Sequence, residues 1–85
     1  MFGYFEVPEG FNGLETTQEN TILFVLEGSI KIICNNEHIM LNQGMMIFYP
    51  PKSLVKFHFT NHTQLVKATF NYVEKIYKAG ALAEF

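Results

Sequence analysis

Six side chains of this 85-residue chain have types suited to catalysis or metal binding outside its carboxylates and lysines: His38, His58, His62, Cys34, Ser29 and Ser53. His58 and His62 are four residues apart, a spacing that on a helix would put two imidazoles on one face, as a metal site needs. The residues around them read differently. Val55, Phe57 and Phe59 alternate with Lys56 and His58, so the segment is a strand running into a polar turn. His38 follows a hairpin turn and points outward. Three solvated or edge histidines are expected, not a metal cluster. Cys34 shares the inward alternation of Ile30 and Ile32, where a thiol acts as a small hydrophobe. Ser29 and Ser53 fall in turns, and no Asp exists anywhere to complete a Ser-His-Asp triad. No catalytic residue, metal ligand set or cofactor is expected.

Charge narrows the partners. All eight acidic residues are Glu, all six basic ones Lys, and the net charge is −2. Phosphate binding needs clustered cations, and bidentate base reading usually calls on Arg, which is absent. Direct nucleic-acid binding is therefore not expected. Cys34 is the single cysteine, so no intramolecular disulfide can form. Residues 1–9 carry two Glu and no positive region before an apolar run, unlike a signal peptide. The longest apolar runs fall far below the roughly 18 residues that span a bilayer. A cytoplasmic protein with no membrane association is expected, and Asn61-His62-Thr63, although it matches a glycosylation sequon, reads as a polar turn.

These side chains must be held by a thin scaffold, because a chain this short buries only about 60–65% of the surface its unfolded form exposes. With 48% hydrophobic residues, nine Phe and four Tyr, it can close one core. A single domain over residues 1–85 is expected. Up to residue 20, Pro8, Gly10 and Gly13 punctuate a segment with Phe2, Tyr4, Phe5 and Phe11, which reads as an arm and a loop. From 21 to 72 short apolar or alternating runs recur about every ten residues, the signature of an all-β sandwich or barrel. Residues 21–26 and 30–34 flank a kink at Glu27-Gly28-Ser29. Asn35-Asn36 tolerates the positive φ of a tight hairpin turn, and 37–41 return. Asn42-Gln43-Gly44 turns the chain into 45–49, a run too apolar to be an exposed edge, which Pro50-Pro51 ends. Runs at 54–59 and 64–72 follow.

Alternation assigns faces. Val55, Phe57 and Phe59 point inward, as do Ile30, Ile32 and Cys34; in the last run Val66, Ala68, Phe70 and Tyr72 are placed inward and Lys67, Thr69 and Asn71 outward. Past Tyr72 the period changes, with Val73, Ile76, Tyr77, Gly80 and Ala81 on one helical stripe. A short C-terminal helix is expected over 73–85. It contains Gly80, which costs about 1 kcal/mol relative to Ala, and ends without a cap, so a truncated helix that continues downstream or is covered across a dimer is expected. Met40 and Ile33 on the outer face of the hairpin are candidates for dimer contact, with the arm and last helix as alternative cover.

Several of these features together resemble a known family. Phe24-Val25-Leu26-Glu27-Gly28-Ser29-Ile30-Lys31-Ile32 looks like the strand, Glu-Gly, strand bend of cupins, and residues 35–44 resemble the cupin hairpin with its turn glycine. Gly44, followed by five residues and then Pro50, resembles the opening of the second cupin motif. The likeness covers roughly residues 15–70 and is nearest to the N-terminal, effector-binding and dimerising domains of AraC-type transcription regulators. It implies a small cupin, a double-stranded β-helix or jelly-roll barrel.

Cupin enzymes resemble one another in holding a divalent metal with two His and a Glu from the first motif and one His from the second. Aligned on Gly28, those positions fall here on Glu15, Thr17 and Thr21; aligned on Gly44 and Pro50, the last falls on Val55. A lone carboxylate does not make a transition-metal site, which normally needs three or four N, O or S ligands. Thr17, Thr21, Leu23, Val55 and Phe57 would instead form an apolar wall with a few hydroxyls. That wall either lines a small-molecule pocket or fills a barrel too small to hold one, and the sequence leaves both open. The resemblance implies a non-catalytic regulatory module, a homodimer with a small-molecule effector, lacking the helix-turn-helix part and binding no operator by itself. The alternatives are a free-standing small cupin enzyme, an isomerase or dioxygenase, and a purely structural interaction module.

Overall fold

A computed structural model describes residues 1–70, and every strand in it is antiparallel. The eight strands are β1 (Phe2–Val7), β2 (Asn12–Thr16), β3 (Asn20–Glu27), β4 (Ser29–Cys34), β5 (Glu37–Asn42), β6 (Met46–Tyr49), β7 (Leu54–Phe59) and β8 (Thr63–Phe70). They pair as β1 with β8, β2 with β7, β3 with β6 and β4 with β5, the pattern of one long hairpin rolled up around a core. Two further ladders, β3 with β8 and β4 with β7, join the pairs into two four-stranded sheets. Sheet I has the order β1-β8-β3-β6, and sheet II the order β2-β7-β4-β5. This is the expected all-β jelly roll. The expected helix over 73–85 lies outside the described residues.

Turn chemistry sets the corners. Asn35 and Asn36 take φ of 51° and 69°, both positive as a tight hairpin between twisted strands requires. Gly28, at φ 95°, carries the chain from sheet I into sheet II. A Cβ there would stand 2.5 Å from the His62 carbonyl oxygen and 2.6 Å from Thr63 Oγ1, so the site needs glycine for space as well as for backbone angle. The β7–β8 turn is tied to this corner by Asn61 Oδ1, which accepts from the Ser29 amide at 2.9 Å, and by Thr63 Oγ1, which donates to the Ser29 carbonyl at 3.1 Å.

The core lies between the sheets. Leu23, Val25, Tyr49 and Leu65 from sheet I meet Ile30, Ile32, Cys34, Leu41, Val55 and Phe59 from sheet II. Among the described residues there is no helix long and apolar enough to cross a membrane.

Three expectations are corrected. Residues 1–20 are not an arm and a loop: β1 and β2 are strands, each at the outer edge of its sheet and paired on one side alone. Gly3, Gly13 and the broken alternation of half-exposed edges hid them. The apolar β6 is an edge strand as well, with Met46 63% and Phe48 51% exposed. In β8 the two faces are exchanged. Thr63 and Leu65 are buried, so Lys67 and Thr69 share the inward parity while Val66, Ala68 and Phe70 point outward. Apolar residues occupy both parities of this strand, and reading the richer one as inward reversed it.

Candidate functional site

Where β1, β2, β3, β7 and β8 come together, the barrel is open and its interior carries charge. Glu15 stands opposite Val55 in the β2–β7 ladder, and Lys67 stands opposite Leu23 in the β8–β3 ladder; both Val55 and Leu23 face the core, so both charged side chains do too. Lys67 Nζ donates to Glu15 Oε2 at 2.8 Å, bridging sheet II to sheet I. The pair is only 27% and 34% exposed. A charge pair in such a half-dry place holds its geometry better than one on the surface.

The pair divides the mouth into two hollows. One, of about 220 Å³, is walled by Phe5, Phe11, Leu23, Phe57, Phe59 and Leu65, with Glu15 and Lys67 at its edge. The other, of about 250 Å³, is the more polar of the two and includes Thr21, Thr69, Gln18 and Glu19 beside the same two charges. Among the described residues, Thr69 Oγ1 and the hydroxyl of the core residue Tyr49 are buried without a hydrogen-bond partner. Buried hydroxyls are normally satisfied, so these two are exceptions to the rule. Burial raises the Tyr49 phenol well above its usual range, with the neighbouring Cys34 and Glu15 adding to the effect, so the phenol is neutral throughout the physiological range.

The residues expected to form a pocket separate into two groups. Leu23 and Phe57 wall the apolar hollow and Thr21 the polar one. Thr17 and Val55 line neither. Thr17 is a structural tie: its Oγ1 donates to the Pro50 carbonyl at 2.8 Å and accepts from the Ser53 amide at 2.9 Å, pinning the β6–β7 turn. Val55 is fully buried core. Lys67, Thr69 and Phe5 were missed, the first two because of the exchanged faces of β8. A larger depression of about 420 Å³ lies on the outer face of sheet II, walled by Lys31, Lys56, His58, Asn12, Leu14 and Ile33. Its lysines are exposed, and His58 Nδ1 is already engaged with Asn12 Oδ1 at 2.7 Å. The barrel mouth is the better-built site.

A divalent metal of the kind held by cupin enzymes does not fit these residues. Of the four aligned positions, Glu15 is bound to Lys67 and Thr17 to the β6–β7 turn; Thr21 Oγ1 donates to the Glu19 carbonyl at 3.0 Å, and Val55 has no donor atom. The described residues contain no group of three His, Cys, Asp or Glu close enough to share a metal ion. His58 is paired with Asn12, and His62 lies 3.2 Å from Glu6 on the surface.

No protein-family model matches the chain, and no curated protein matches it in sequence. Solved structures match its shape. A cupin superfamily protein from Desulfitobacterium hafniense superposes with a TM-score of 0.78 at 15% identity, covering 82% of this chain and 65% of that one. The EutQ protein of Clostridium difficile gives 0.74 at 22% identity, covering 85% and 56%. A conserved protein of unknown function from Streptococcus pyogenes, SPY1581, gives 0.77 at 15% identity, covering 82% and 62%. The fold is that of cupin superfamily proteins. The chain spans 56% to 65% of the length of these three neighbours.

Proposed function

We propose that this chain is a non-catalytic, small-molecule-sensing cupin module acting in the cytoplasm, of the kind that AraC-type regulators carry ahead of their DNA-reading part. The observation that carries the reading is the Lys67–Glu15 pair shared by both hollows, in a mouth whose metal-ligand positions hold threonines, a valine and an already engaged carboxylate. The charges orient a polar ligand, and the wall of Phe5, Leu23 and Phe57 receives its apolar side.

Size restricts the ligand. The hollows are smaller than the roughly 300–1,000 Å³ of drug-sized sites. At about 30 Å³ per water-sized group each takes roughly eight non-hydrogen atoms. A small sugar or hydroxy-carboxylate fits, its acid group meeting Lys67 and its hydroxyls meeting Glu15.

A thermal-shift screen of sugars and small carboxylates, run beside elemental analysis of the purified protein, tests this. A ligand at about a hundred times its Kd adds about 2.7 kcal/mol by mass action, a rise of several degrees or more for a domain this size. Lys67→Met is expected to abolish the rise while leaving the strand signal in circular dichroism intact. Stoichiometric Fe, Mn, Ni or Zn in the protein, or no stabilisation by any compound of the panel, overturns the reading.

A further inference from the structure

The carboxylates of the described residues keep off the outer face of sheet II. Glu6, Glu9, Glu19 and Glu27 belong to sheet I or to turns, Glu15 faces the core, and Glu37 shares the inward parity of its partner Cys34. The titratable side chains that do face outward there are Lys31, His38, Lys56 and His58. In a chain of net charge −2, this face is locally cationic. The register brings the cations together. His58 stands opposite Lys31, and Lys56, two residues before His58 on β7, is the diagonal neighbour of Lys31. Such neighbours have Cβ atoms about 7–8 Å apart, so two flexible lysine stems can bring both ammonium groups onto one anion between them. Among the described residues neither lysine is in an ion pair, the pairs being His62 with Glu6 and Lys67 with Glu15. The imidazole beside them is held in place. Asn12 Nδ2 donates to the Gly10 carbonyl at 3.3 Å, which turns Asn12 Oδ1 to accept from His58 Nδ1 at 2.7 Å and leaves Nε2 as the ring nitrogen open to a ligand.

We infer that the hollow of about 420 Å³ beneath these cations is a second ligand site, for a small organic anion with an apolar body. Its carboxylate or phosphate is gripped by Lys31 and Lys56, and its body lies over Leu14, Ile33 and Phe57, which complete the wall. Volume supports a ligand of that size. The hollow falls inside the roughly 300–1,000 Å³ of small-molecule sites, and at about 30 Å³ per water-sized group it takes roughly fourteen non-hydrogen atoms. Charge selects the class. A cation is repelled, a neutral molecule leaves both ammonium groups unanswered, and a bare inorganic anion leaves Leu14 and Ile33 in water. Two lysines are too few for a polyanion, whose binding rests on many phosphate contacts. Both lysines are exposed, so their attraction is screened by salt, and the affinity is expected to be about millimolar and to weaken several-fold between about 20 and 200 mM salt. The site is distinct from the barrel mouth, where Glu15 and Lys67 face the core, and the inference is independent of the ligand reading there. Phe57 alone lines both hollows.

Titration of the full chain at low salt, followed through its backbone amide NMR signals, tests this with cinnamate, phenyl phosphate and the neutral cinnamamide. Saturable shifts centred on Lys31, Ile33, Lys56 and His58 are expected with the anions, and the tighter of the two names the head group. Cinnamamide, which keeps the apolar body and loses the charge, is expected to bind the wild type about fivefold or more weakly than cinnamate. Replacing both lysines, Lys31→Gln with Lys56→Gln, is expected to weaken the anions by a similar factor while the circular dichroism stays that of the wild type. The cinnamamide comparison needs no variant, so it decides the matter even if the double substitution disturbs folding. Four results overturn the inference: no saturation by either anion at millimolar concentrations, cinnamamide binding as well as cinnamate, a folded double variant with unchanged affinity, or shifts centred on Glu15, Leu23 and Lys67 in the mouth.

Discussion

The two sheets of this molecule are built alike inside and differently outside. Across sheet II the outward rows run Asn12, His58, Lys31, Met40 and Leu14, Lys56, Ile33, His38, so cations and imidazoles are interspersed with the apolar side chains. Across sheet I the equivalent rows contain eight apolar residues and no charge. Strand geometry is the same in both, and so is the parity rule. An antiparallel sheet with one face in the core and one in water shows apolar-in, polar-out alternation, and sheet II follows it. Sheet I departs from it on its outer face, and at Lys67 and Thr69 it departs on the inner face as well. Departures from a local rule collect where a protein binds something; here the outer one is a continuous apolar face and the inner one lines the mouth.

Three substitution sets sharpen this contrast. The largest effect is expected inside, where the sheets should not differ. Leu23→Ala in sheet I and Ile32→Ala in sheet II remove buried side chains of the same core, and each is expected to cost about 2–5 kcal/mol in denaturant unfolding. A cost confined to one of the two would break the shared core into separate parts. Next comes the corner that joins the sheets. Gly28→Ala combines a left-handed backbone with a clash against His62 and Thr63, and a loss of about 2–3 kcal/mol is expected from the two together. A loss below that of an ordinary surface change would mean that the corner opens freely. Smallest is Ile33→Lys on the outer face of sheet II, expected to change stability by no more than about 0.5 kcal/mol. A large loss there, read in the same unfolding experiment, would show that sheet II has a covered outer face.

Legibility in the sequence followed the strength of local signals. The hairpin at Asn35-Asn36, the Gly28 kink, the stop at Pro50-Pro51 and the inward parity of β4 and β7 were all readable, because each rests on turn chemistry or clean alternation within a few residues. β1 and β2 were not. Their partners β8 and β7 lie at the far end of the chain, and glycines interrupt both edges. In β8 the sequence carries Leu65 on one parity and Val66, Ala68 and Phe70 on the other, and nothing local says which side holds the core. The pocket residues fared accordingly. Leu23, Phe57 and Thr21 reach the hollows, whereas Thr17 is taken up by Pro50 and Ser53, a contact made 33 residues away.

By itself, then, the order of residues determined that this is a β protein with a tight central hairpin, a sharp corner at a glycine and no imidazoles at the aligned ligand positions, since propensity, turn angles and side-chain chemistry act over a few neighbours. Tertiary structure decided which parity of β8 faces inward, that Glu15 meets Lys67 across 52 positions of sequence, and that eight apolar residues from four strands form one continuous face. Those are facts of pairing register, and register is set by the collective burial of all eight strands at once.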